Sequence, residues 1–266
     1  MLLAFILLIV WAASSALYIY FLPIYNNWFY AVWVTAGFGT MILSFVLITL
    51  LALLFFKLSK PTNSFKHFIL WHYFDFILGF LKIKIEVSGR ENIPANPFCV
   101  YGNHKSMLDP VILYYVYHKK ISAAGKKTLE KVKFMKGLMD WMGAISIDRE
   151  NDREALKNMK AGANRTLENK MGYIIFPEGG IKTRETEEMI EIKPGAYKLA
   201  EWSESAISPV SIIGTSKIST RKKFRSVNVK VIIHKAITVD EYKDMKTQEI
   251  GEKVFNIVNE GVRNGR

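Results

Sequence analysis

Two long apolar stretches open the chain, and its character then changes. Positions 1–22 are nearly all apolar, positions 23–27 interrupt them with turn-forming residues, and positions 28–56 are apolar again up to Lys57. Each run exceeds the roughly 20 residues a helix needs to cross a hydrocarbon core. The pattern predicts a membrane-associated helical hairpin over 1–58. A helical period over 60–81 (Phe65, Phe68, Ile69, His72, Phe76, Leu81) predicts a connecting helix at the membrane interface. Strict alternation at 83–87 reads as a half-buried strand that ends at Ser88-Gly89.

Beyond that point short apolar runs alternate with amphipathic ones. Strands are expected at 98–101, 121–124, 144–147, 173–176, 207–213 and 227–234, and helices at 110–118, 134–142, 152–170, 195–202 and 248–262. Leu156, Met159, Ala163 and Leu167 give the third of these helices an apolar stripe toward a core. Such alternation predicts an α/β fold, a largely parallel sheet flanked by helices, forming one domain over 59–266 behind the hydrophobic two-helix membrane motif.

Charge sharpens the membrane reading. The first 56 residues contain no Lys, Arg, Asp or Glu, so the formal net charge of +12 belongs wholly to the rest of the chain. A domain this basic is drawn to polyanions, either nucleic acid or an anionic membrane surface. The neighbouring uncharged hairpin selects the membrane, so an anionic membrane lipid is the expected partner and nucleic acid is not. Trp11, Tyr18, Tyr20, Tyr25, Trp28, Tyr30 and Trp33 gather around the break as an interfacial belt would. Lys57, Lys60 and Lys66 follow the second run and, by the positive-inside rule, place the domain at the cytoplasmic face of the cell membrane. A signal peptide fits poorly, because the first run lacks a basic leader. Two helices lying shallowly in one leaflet fit the same residues. The single cysteine, Cys99, supplies no disulfide framework, and with five scattered histidines it offers no ligand set for zinc.

Candidate chemistry gathers at strand ends, where open α/β sheets bind ligands. His104 falls in the turn after the strand at 98–101, and Asp109-Pro110 reads as a helix start with Asp109 as its N-cap. The turn can fold the carboxylate onto one imidazole nitrogen, which would fix the tautomer and leave the other nitrogen as a general base. Ser106 stands too close in the turn to serve as a nucleophile with an attack path, and no Gly-x-Ser-x-Gly elbow is present. Arg149, at the end of the strand near 147, could hold phosphate or pair with Asp148 or Glu150. In Phe176-Pro177-Glu178-Gly179-Gly180 two glycines allow backbone N–H groups close to an oxyanion, with Lys182 and Arg184 adding positive charge just beyond.

Together these segments resemble the lysophosphatidic acid acyltransferase family, the 1-acyl-sn-glycerol-3-phosphate acyltransferases of the wider glycerolipid acyltransferase group. The family block Asn-His-x-x-x-x-Asp is met by Asn103, His104 and Asp109. Gly143 through Arg149 matches Gly-x-Ile-x-Ile-Asp-Arg, Phe176 through Gly179 matches Phe-Pro-Glu-Gly, and Ile207-Ser208-Pro209-Val210 meets the fourth block weakly. Lys193-Pro194-Gly195-Ala196 resembles the family's Lys-x-Gly-Ala helix start. The resemblance implies that His104 is the general base and Asp109 its partner. It implies that Arg149, Glu178 and Gly179 hold a lysophosphatidate head group. It also implies a one-step attack on an acyl thioester carried by coenzyme A or acyl carrier protein as co-substrate, with no cofactor. The chain departs from the family after Glu-Gly, where Thr-Arg-Ser is usual and Gly180-Ile181-Lys182-Thr183-Arg184 stands instead. The phosphate-binding arginine is then displaced to Arg184 or replaced by Lys182. Two other readings use the same residues: the same chemistry on glycerol 3-phosphate or another lysophospholipid, and a non-catalytic membrane adaptor.

Overall fold

The computed structural model describes residues 2–22, 26–95, 97–148, 151–222 and 225–265, with the backbone alone at 152 and 169. Arg149, Glu150 and Tyr25 lie outside the described residues. Helices α1 (Leu2–Phe21) and α2 (Trp28–Leu58) form the hairpin and α3 (Ser64–Phe80) follows. Then come β1 (Ile83–Ser88), β2 (Phe98–Gly102), α4 (Asp109–Tyr117), β3 (Ile121–Lys126), α5 (Lys133–Met142), β4 (Ile145–Ile147), α6 (Asp152–Asn169) and β5 (Gly172–Ile175). The chain ends with α7 (Lys198–Trp202), β6 (Ala206–Ile213), α8 (Lys217–Thr220), β7 (Val227–Ile233) and α9 (Thr247–Asn264). The helix expected over 195–202 is divided into a 3-10 turn at Pro194–Tyr197 and α7.

The seven strands lie in the order β1-β7-β6-β2-β5-β3-β4, and every pairing is parallel except β6 with β7. Alternate side chains of the central strands feed two cores. Phe98, Val100, Val210 and Ile212 meet α3 and α4 on one face. On the other, Cys99, Tyr101, Tyr173 and Ile207 meet α6, α7 and α9. All five residues of β2 are buried, as a strand covered on both faces must be.

The expected stripe on α6 is corrected. Met159 and Ala163 are buried, whereas Leu156 and Leu167 are 36% and 48% exposed. Close approach explains the difference: a Cβ on Gly162 would stand 2.2 Å from Ile145 Cδ1, so α6 packs on the sheet through the face carrying Met159, Gly162 and Ala163 and leaves its leucines exposed.

Both hairpin helices are long and apolar enough to cross a membrane. Their contact is partly polar, with Trp11 Nε1 donating to the Val34 carbonyl at 3.1 Å and the Tyr18 and Thr40 hydroxyls 2.8 Å apart. At 1.5 Å per residue α2 is about 46 Å long, more than the roughly 30 Å core requires. The surplus is used for docking. Phe45, Thr49 and Phe55 of α2 pack on Phe76, Tyr73 and Phe65 of α3. The fully buried Lys66 ammonium donates to the carbonyls of Phe56, Ser59 and Trp141 at 2.9, 2.9 and 3.0 Å, tying the end of α2 to α5.

His67 makes the next joint. Its Nε2 lies 2.9 Å from the Pro61 carbonyl and must donate to it, so Nδ1 accepts from the Tyr114 hydroxyl and the ring is neutral. Burial lowers its pKa to about 4, with Lys120 and Lys66 adding to the effect. The folded value lies below the unfolded one, so this contribution is complete above about pH 6.5 and is lost as pH falls from there toward 4. Between pH 7 and pH 5 the stability difference between the native chain and His67→Gln should shrink by about 2 kcal/mol, measured by denaturant unfolding. A difference independent of pH would remove His67 as its origin.

Candidate active site

β6, β2 and β5 are neighbours, so the turns after β2 and β5 and the loop after β6 converge at one end of the sheet. The turn after β2 is pinned first. Asn103, fully buried, donates through Nδ2 to the carbonyls of Glu187 and Ile212 at 2.7 and 2.6 Å and accepts from Ile212 N at 2.8 Å. The Glu187 carboxylate in turn accepts from Gly214 N at 2.9 Å and from the Ser216 hydroxyl at 2.6 Å. The loop that holds the imidazole is thereby fastened to the strand beside it.

His104 Nδ1 stands 2.9 Å from Asp109 Oδ2. The same oxygen accepts from Lys105 N at 2.7 Å and Ser106 N at 2.8 Å, so it faces the imidazole as an acceptor and Nδ1 is the donor. These bonds correct one expectation: Asp109 does not cap α4, because its carboxylate reaches back into the preceding turn, and α4 has no side-chain cap. Phe176 stacks on one imidazole face, with centroids 4.1 Å apart and planes 13° from parallel. With one nitrogen bound to a buried acid and one face covered, the side chain retains 13% exposure, and Nε2 is the ring nitrogen not engaged by Asp109. An imidazole that donates through Nδ1 keeps its Nε2 lone pair for a proton taken from a hydroxyl, and Asp109 then stabilises the imidazolium.

Glu178, expected at the head group, has no exposed surface. Its carboxylate accepts from His104 N at 2.9 Å, pairs with Lys105 Nζ at 3.1 Å and takes a long bond from Ile190 N at 3.5 Å. It joins the β2 and β5 turns and is committed to protein donors. Gly179 has φ of +70° and its N–H closes the turn onto the Phe176 carbonyl at 3.0 Å, so that donor serves the turn and not an oxyanion. A Cβ there would meet Lys193 Cε at 2.9 Å, which places the lysine side chain over the glycine. Gly180 follows in a conformation open to glycine, with φ of +151°.

Lys182 pairs with Glu191 at 2.6 Å, and both that lysine and Arg184 are exposed, away from the buried network. β4, which leads to Arg149, stands three strands from β2, about 14 Å at ordinary strand spacing. Ser106 Oγ accepts from Leu108 N at 3.2 Å, within its own turn. Burial raises the Cys99 thiol to about 12, so it carries no thiolate near neutral pH.

Sequence reasoning missed Lys105, which reads as a surface lysine, and the Phe176 stack. Asn103 carried a visible signal, since a carboxamide at the end of a buried strand needs partners.

Residues 84–213 match a family model described as Acyltransferase. The chain is 29% identical over 186 residues to a 1-acyl-sn-glycerol-3-phosphate acyltransferase of Saccharomyces cerevisiae, a match covering 69% of this chain and 60% of the yeast protein. It is 28% identical over 162 residues to the protein of that name from Borreliella burgdorferi, covering 60% of this chain and 64% of the other. Each match spans less than two thirds of the relative's own length. The crystal structure of the 1-acyl-sn-glycerophosphate (LPA) acyltransferase from Thermotoga maritima has the same fold. Its TM-score is 0.63 at 22% identity, over 75% of this chain and 79% of that one.

Proposed function

We propose, from the premise that residues 84–213 are an acyltransferase-family domain, that this chain transfers an acyl group from a thioester to the sn-2 hydroxyl of 1-acyl-sn-glycerol 3-phosphate, forming phosphatidate. The relatives from yeast and Borreliella, which carry that name, support the reaction class. One observation carries the mechanism: His104 is bonded through Nδ1 to the buried Asp109, which leaves Nε2 as its free ring nitrogen on a side chain that is still partly exposed. Nε2 removes the proton as the lipid oxygen attacks the thioester carbon. The C–S bond then breaks and the thiolate takes a proton. Coenzyme A and acyl carrier protein both present such a thioester, and no further cofactor enters the step.

In this reading residues 1–58 hold the chain to the cytoplasmic face of the membrane and residues 59–266 are the acyltransferase domain. Arg149, Lys182 and Arg184, with Gly180 at the turn after β5, receive the anionic head group, and Gly179 shapes that turn. Glu178 positions the turn that carries His104. Because the acceptor is itself an anionic lipid, hairpin and basic domain keep it at the surface where it reacts.

Detergent-solubilised full-length protein, offered acyl-CoA or acyl carrier protein together with lysophosphatidate, glycerol 3-phosphate and lysophosphatidylcholine in competition, should release thiol and form phosphatidate first. Preferential turnover of either competitor would reassign the acceptor. Lipid binding without thiol release from any donor would favour the adaptor.

A further inference from the structure

A second site lies at the opposite end of the sheet, roughly one strand length, about 17 Å, from His104. Here α4 and α6 end and α3 passes beside them, enclosing a cavity of about 660 Å³. Lys119, Lys120 and Lys170 line it together with Phe68 and Trp71. The Lys120 carbonyl accepts from Gly172 N at 2.9 Å, which keeps the two lysine-bearing turns side by side.

We propose that this cavity binds the phosphate head group of an anionic membrane phospholipid, separately from the acyl-transfer site. Charge is the first argument. Helix carboxyl ends attract cations, each worth about half a negative charge, so two ends and Glu168 offset about two of the three lysines. A positive excess faces the cavity.

Backbone geometry is the second. His118 and Lys170 cap α4 and α6 in the left-handed region, with φ of +47° and +49°, where glycine is the usual choice. Two of the four such non-glycine residues among those described thus line this one cavity.

Continuity with the hairpin is the third and selects a lipid over a free anion. Phe55 of α2 lies 5.6 Å from Phe65, which stacks at 6.1 Å on Phe68 at the cavity wall. Phe65 and Phe68 are 60% and 48% exposed. This aromatic path lets an acyl chain run from the hairpin toward the cavity while its phosphate meets the lysines.

Native mass spectrometry of the full chain from micelles holding equal phosphatidylglycerol and phosphatidylcholine tests the site. Retention of phosphatidylglycerol should fall about 5-fold in Lys170→Gln and on the order of 100-fold in the Lys119→Gln, Lys120→Gln, Lys170→Gln triple variant. Phosphatidylcholine retention should not change. Phe68→Ser should also weaken phosphatidylglycerol, and millimolar inorganic phosphate should not displace it. Phosphatidylglycerol retained equally by the native chain and the triple variant would overturn the proposal. Displacement by inorganic phosphate with no effect of Phe68→Ser would assign the lysines to a free anion and overturn it as a lipid site.

Discussion

Glu178→Gln should lower the stability of the domain by about 3–5 kcal/mol, a fall of about 10 °C in Tm for a unit of this size. The reason is burial. Lys105 and Glu178 are both without exposed surface and pair at 3.1 Å, so neutralising the acid leaves an ammonium group in the interior with its counter-charge gone. Removing one partner of such a pair costs far more than the pair itself contributes. Activity should fall too, since Glu178 also holds His104 N and so the turn that aims the imidazole. Thermal unfolding with kinetics on the same preparation separates this role from head-group binding. If Glu178 held the phosphate, the substitution would raise KM and leave Tm unchanged. The Lys105→Met, Glu178→Leu double variant should recover part of the stability, because no lone charge remains, but not the activity.

The architecture was legible because its signals are local. Alternation or unbroken apolar runs marked strands such as 83–87 and 98–101, a period near 3.6 marked the helices, and the alternation of the two predicted the mostly parallel sheet. The His104–Asp109 contact was legible as well, because five residues of turn bring the groups together. What failed depended on distant partners. Asp109-Pro110 carries a strong helix-start signal, yet the carboxylate serves the turn before it. Glu178 was expected at the head group, and the fold instead supplied it with Lys105 from 73 residues away. On α6 hydrophobicity favoured Leu156 and Leu167, whereas the close approach of Ile145 at Gly162 turns the face carrying Met159 and Ala163 inward. The basic cavity joins the ends of α4 and α6 with the side of α3, and nothing in those separate segments announces it.

The network around His104 explains why the site tolerates a buried acid. Three donors converge on one oxygen of Asp109, and Asn103 and Glu187 fasten the surrounding loops to β6. The imidazole therefore has little freedom to choose another tautomer or rotamer. A base held in this way needs no reorganisation when the acceptor hydroxyl arrives, and a positioned base contributes about 100- to 10,000-fold in rate. His104→Ala should lose that factor from kcat with a much smaller change in KM for either substrate. The side chain is partly exposed and is not itself part of the Lys105–Glu178 pair, so Tm should move far less than in Glu178→Gln.

The most direct test is therefore the initial rate of thiol release by purified full-length protein given acyl thioester and lysophosphatidate, native chain against His104→Ala, with both shown to be folded. A loss of about 100-fold or more, with phosphatidate formation falling in parallel, is the predicted result. Equal rates from the two proteins would contradict it and leave the proton of the lipid hydroxyl to some other group.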